Sequence, residues 1–136
     1  MKTMSFASLA YENRGKKTRR EKFLDEMNKV IPWGELLEVI KAYYPKAGNG
    51  RQPMPMERML RIYFMQQWYA LSDPAMEDAL YDIESMRRFA DIDIAVDVVP
   101  DETTILNFRH LLEEYNLTRQ LFEKTKSYLA KKVIAA

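Results

Sequence analysis

The chain has 136 residues, 47% of them hydrophobic, with 21 lysines and arginines against 20 acids, one histidine and no cysteine. That length and apolar content suit one folded domain, or a domain with an arm, and the missing cysteines exclude disulfides and thiolate metal sites. No apolar run nears the roughly 20 residues of a membrane span, and the N-terminus lacks a signal-peptide core, so a cytoplasmic protein with no membrane partner is expected.

Residues 1–15 read as a flexible N-terminal arm, since residues 1–13 carry little pattern. Helical spacing starts at 16–31, where Phe23, Leu24, Met27, Val30 and Ile31 share a side. Pro32-Trp33-Gly34 breaks it, and 34–43 form a second helix through Leu36, Leu37, Val39, Ile40 and Tyr43. The Gly- and Pro-rich stretch 44–53 is a loop. Its Lys46 and Arg51 sit on glycine-bearing backbone that could approach a phosphate closely. A plain interhelix connector fits the same residues.

Residues 55–70 are apolar almost all round, so this helix is expected at the centre, with its Met and aromatic residues filling the core. Ser72 or Asp73 caps the next helix and Pro74 takes its first turn, which turns Ala75, Met76, Ala79 and Leu80 inward. A short helix covers about 84–90 through Met86 and Phe89. Residues 91–99 alternate Asp with Ile, Ala and Val; a lone strand has no pairing partner, so an irregular link is expected. Two helices close the chain, from Asp101 to about Tyr115 and from Leu117 to Lys131. The fold class is therefore all-α: a compact multi-helix domain over 16–132 with a helix-turn-helix-like core, a basic N-terminal arm and a tail at 133–136.

The run from Pro100 to His110 carries the clearest functional pattern. Asp101 is a good N-cap, and Pro100 sharpens the boundary. Ile105, Phe108, Leu111 and Leu112 fall on one face. Thr103, Thr104, Asn107 and His110 lie mostly off it, with Arg109 beside them. These are side chains suited to base edges and phosphates on a helix lying in a DNA groove. An ordinary capped surface helix has the same spacing.

Charge is unevenly spread. Residues 14–22 carry Arg14, Lys16, Lys17, Arg19, Arg20 and Lys22 against Glu21. Such a segment is the usual footprint of a phosphate-contacting arm, or a solvated run that keeps a terminus in water. Residues 73–102 carry ten acids against Arg87 and Arg88, and that middle must face away from DNA. Catalytic chemistry is poorly supplied. One histidine excludes a His-rich metal site, and a Ser–His–Asp triad would have to use His110. Gly48-Asn49-Gly50 is too short for a phosphate-binding motif. Asp78 with Asp82, or Asp91 with Asp93, lacks a third carboxylate to complete a Mg²⁺ site. No catalytic residue, metal, cofactor or small-molecule substrate is expected.

Three blocks resemble the N-terminal region of bacterial IS5-family insertion-sequence transposases of the InsH type. They are Tyr44 to Pro53; Met59 to Ile62 with Met65 to Tyr69 and Leu71 to Tyr81; and Pro100-Asp101, Thr103 to Ile105 and Asn107 to Glu113. The resemblance spans roughly residues 20 to 130. It implies a helical domain that binds double-stranded DNA at the terminal inverted repeats of its own element, in a bacterial cytoplasm at the nucleoid. In the family a catalytic domain follows, with three carboxylates and two Mg²⁺; this chain ends at Ala136 before it, so it is expected not to transpose DNA alone, and Mg²⁺ belongs to that missing domain. In this picture the 101–115 helix enters the major groove, with Thr103, Thr104, Asn107 and His110 toward bases. Arg109, the Gly48–Arg51 loop and the basic arm hold phosphates. The short helix with Arg87 and Arg88 is the other candidate for docking. The alternative roles are a fragment that pairs with itself or with full-length transposase to regulate it, or a remnant without function.

Overall fold

The computed structural model describes residues 6–46, 48, 50 and 52–135, and all regular structure among them is helical. The helices are α1 (Phe6–Glu12), α2 (Arg19–Val30), α3 (Trp33–Lys41), α4 (Met56–Trp68), α5 (Asp73–Asp82), α6 (Glu84–Phe89), α7 (Glu102–Glu114) and α8 (Leu117–Ala135).

The centre is α4, as its all-round apolar sequence requires. Met59, Leu60, Ile62, Tyr63, Phe64, Met65 and Gln66 are buried. The other long helices form a ring around it: α2 packs on α6, α6 on α5, α5 on α7, α7 on α8 and α8 on α3, while α3, α5 and α7 touch α4 itself. Aromatic contacts tie α2 and α8 to α4 as well. Phe23 of α2 sets its edge against Trp68 at 5.4 Å, and Phe122 of α8 meets Phe64 at 5.7 Å.

The starts of α2, α5 and α7 follow local capping chemistry. Oγ1 of Thr18 accepts the Glu21 N–H at 3.1 Å, and Oγ of Ser72 accepts the Ala75 N–H at 3.2 Å. Asp101 Oδ1 accepts the Thr104 N–H at 2.8 Å, the cap expected for α7. Glu77 of α5 adds a second acceptor, taking the Glu102 N–H at 2.6 Å, so α7 is pinned to α5 at its first turn.

Residues 91–99 are an irregular link of turns. Asp97 accepts the Asp93 N–H at 2.8 Å, and Asp93 accepts the Ala95 N–H at 3.0 Å. Arginines of α4 hold the link's start: Arg58 donates to the Asp91 carbonyl at 2.8 Å and Arg61 to the Phe89 carbonyl at 3.2 Å.

One expectation is corrected. Residues 6–12, read as part of a loose arm, are helical. Seven residues do not sustain a helix alone; tertiary contacts hold this one. Tyr11 is 8% exposed, its ring flanked by the guanidinium of Arg14 at 3.7 Å and of Arg88 at 4.6 Å. Glu12 accepts from Arg88 at 2.7 Å.

Candidate nucleic-acid interface

The basic segment divides into paired and unpaired cations. Arg14 is committed to the Tyr11 carbonyl at 2.8 Å and to Glu21, and Lys17 to Asp25 at 2.8 Å. Glu21 and Asp25 are on α2, so these pairs tie the segment down onto its own helix. Lys16, Arg19, Arg20 and Lys22 are exposed and form no ion pair with another described residue. Arg20 lies 5.6 Å over the Tyr69 ring, which brings α2's first turn to the end of α4. Lys46 is exposed on the loop after α3. Arg51 lies outside the described residues. No described glycine takes a positive φ, so Gly48 and Gly50 do not use the left-handed backbone that only glycine adopts freely. The loop's ends are tethered instead, by the Tyr44 hydroxyl donating to the Met54 carbonyl; burial pushes that phenol up to about 12.

On α7, Thr103, Asn107 and His110 share one exposed face, as their spacing predicts. Thr104 is half-buried and its N–H is held by the Asp101 cap. Arg109 departs from expectation. Its Nε and Nη2 fork onto both oxygens of Asp73 at 2.9 and 2.8 Å, and Nη1 lies 3.5 Å from Glu113. Gln66 donates to the same Asp73 carboxylate at 2.7 Å. The Arg109 hydrogen bonds, then Gln66, hold the Asp73 carboxyl below its ordinary value near 3.8. The cation meant for phosphate is therefore an internal brace between α5 and α7. The rest of the exposed α7 surface is acidic, with Glu102, Glu113 and Glu114, beside exposed Asp78 and Asp82 of α5.

The two arginines of α6 are also committed. Arg87 caps α5 through the Leu80 and Tyr81 carbonyls at 2.9 and 2.8 Å, and Arg88 pairs with Glu12. They are not free for a docking helix.

Sequence reasoning passed over the corner between α7 and α8. There Tyr63, Gln67, Arg109, Asn116 and Thr118 are among the residues lining an open groove of about 420 Å³. Along α8, Leu117, Leu121 and Thr125 are buried, while Arg119, Gln120, Glu123, Lys126, Ser127 and Ala130 are exposed.

Among the described residues no group of three or more His, Asp or Glu is placed to hold a metal ion, and no helix is long and apolar enough to cross a membrane. No solved structure matches the chain. A family model described as Transposase domain (DUF772) matches residues 12–111, from the end of α1 to the penultimate turn of α7. With more than half its length matched, this chain belongs to that transposase-domain family.

Proposed function

We propose that this chain binds double-stranded DNA sequence-specifically, at the terminal inverted repeats of an IS5-type insertion sequence. The observation that carries the reading is the set of exposed cations at the start of α2. Lys16, Arg19, Arg20 and Lys22 have no acid partner among the described residues, while the neighbouring Arg14 and Lys17 fix the segment to the fold. Phosphates are the natural partner of such a cluster, because releasing their counterions drives association. Membership of a transposase-domain family supports DNA as the polymer. The protein would act in the bacterial cytoplasm, at the nucleoid.

The test is a binding titration by fluorescence anisotropy. One duplex carries the DNA flanking the protein's own reading frame and the other a scrambled sequence, each at about 50 and 200 mM salt. Tighter binding to the flanking ends is expected. Four phosphate contacts give a log–log salt slope of about −3 to −4. Equal, weak and salt-insensitive binding to both duplexes overturns the reading.

A second reading, a fragment that pairs with itself or with full-length transposase, has one observation behind it. Ile94, Val96 and Val98 of the link are exposed, Val96 by 75%. A mass above that of one chain in light scattering, lost on Val96→Asp, would favour it.

A further inference from the structure

We propose that α8 is the helix that enters the major groove, in place of α7, with Arg119 and Gln120 toward base edges and Lys126 and Ser127 toward the backbone. The proposal rests on the DNA-binding reading above and names the surface that performs it.

Charge separates the two candidates. From 117 to 135, α8 carries Arg119, Lys124, Lys126, Lys131 and Lys132 against Glu123. From 102 to 114, α7 carries Arg109 against Glu102, Glu113 and Glu114, and Arg109 is already bound to Asp73. A groove-bound helix lies between two phosphate rows. On α7 those rows would meet carboxylates of α7 and of its neighbour α5. On α8 they meet lysines.

Packing agrees. A helix is about 10–12 Å wide and the major groove about 12 Å, so its flanks must be clear. α7 is packed on α4, α5 and α8, which leaves a narrow outer strip. α8 packs on α3 and α7 and meets α4 through Phe122 and Thr118 near its start. Its 19 residues reach about 28 Å, whereas the nine of α3 reach about 14 Å. Past Thr125 no described side chain of α8 is fully buried.

The outward face has suitable chemistry. Arg119, Glu123, Lys126 and Ala130 recur at i, i+4, i+7 and i+11, flanked by Gln120 and Ser127. Arginine reads guanine and glutamine reads adenine through paired hydrogen bonds. Glu123 is the one acid on this face, and Arg119 pairs with it at 3.0 Å; both side chains are mostly exposed, so the pair exchanges readily for DNA contacts. The turn of Tyr115 and Asn116 fixes the start of α8. Asn116 stands at φ +55°, and Tyr115 stacks on Tyr43 of the segment after α3 at 4.5 Å between centroids.

The experiment uses the full chain and the two duplexes above, with helical circular dichroism confirming that each variant folds. Gln120→Ala and Arg119→Ala are each expected to weaken binding to the flanking-end duplex by about 5- to 150-fold and to leave the scrambled duplex unchanged. Lys126→Ala should weaken both alike and lower the salt slope by about 1. Asn107→Ala and His110→Ala should leave both within about twofold. Discrimination that survives both Arg119→Ala and Gln120→Ala, or that is lost in Asn107→Ala, overturns the assignment while the DNA reading stands. Wild-type protein that does not discriminate overturns the DNA reading and the assignment with it.

Discussion

The guanidinium of Arg109 reaches both oxygens of Asp73, so a side chain that its neighbours Asn107 and His110 suggest for DNA is spent inside the protein. Its removal should therefore be felt as lost stability. Two charge-assisted hydrogen bonds at a partly wet site are worth about 1–2 kcal/mol, and Arg109→Ala should lower the unfolding free energy by about that amount at neutral pH. The pH dependence has a definite sign. Asp73 is held below its ordinary pKa in the folded state, mainly by Arg109. The stabilisation is then complete above the ordinary value near 3.8 and is lost as pH falls through the lower folded value, because the unfolded chain takes up its proton first. Thermal melts of wild type and Arg109→Ala should converge as pH drops below about 4. DNA affinity of the folded variant, measured at neutral pH on a scrambled duplex, should stay within about twofold, since this cation is not free for phosphate.

Three helices stop without glycine. After α4, α6 and α7 the chain turns left-handed at Ala70, Asp91 and Asn116, with φ of 50°, 58° and 55°. At the end of α4 the Leu71 N–H returns to the Gln66 carbonyl at 3.0 Å, and at the end of α6 the Ile92 N–H returns to the Arg87 carbonyl at 2.9 Å. Alanine pays most for this backbone, having no side-chain oxygen to compensate. Ala70→Gly should therefore raise the unfolding free energy by about 0.5–1 kcal/mol in chemical denaturation, after the added entropy of the unfolded glycine is subtracted. A second contrast separates buried from exposed arginines. Arg61 stacks 4.2 Å from the Trp33 ring and donates to the Phe89 carbonyl, at 12% side-chain exposure, whereas Arg119 is 77% exposed. Arg61→Ala should cost about 2–3 kcal/mol in the same assay and Arg119→Ala less than about 0.5 kcal/mol. These elements also show what could be read in advance. Helix starts were legible because Ser72 and Asp101 act on their own first turns. Ends fell within two residues of the reading for α4, α6 and α7, but the left-handed turn at Ala70 carries no local signal. α1 was missed because its support comes from Arg88, 76 residues away. Glu77's second cap on α7 and the Asp73 brace on Arg109 were invisible for the same reason: both join α5 to α7, and only the packed fold brings them together.

At the scale of the molecule, 21 cations and 20 acids nearly cancel, yet they are sorted in space. The all-helical class and the central place of α4 were legible from apolar periodicity. The arrangement of charge was not, because it depends on the order of helices around α4. That order places acidic α5 against the acidic edge of α7, while α2 packs on α6 and α8 on α3. Duplex DNA is disfavoured on the α5–α7 side of such a surface, since phosphates within about 10 Å of exposed carboxylates are repelled at physiological salt. The absence of native cysteine makes the direction of approach measurable. A single cysteine at Ser127 on α8, or at Asp82 at the end of α5, carries one environment-sensitive fluorophore without competing labels. Both positions are exposed, so neither label disturbs the core. Adding flanking-end duplex should shift the emission of the Ser127→Cys conjugate and shield it from a soluble quencher, with about 200 mM salt reversing both effects. The Asp82→Cys conjugate should report no change under the same titration. A response at position 82 that equals or exceeds the response at 127 would place DNA on the acidic side, against the field of the whole molecule, and α8 would then have to serve some other partner.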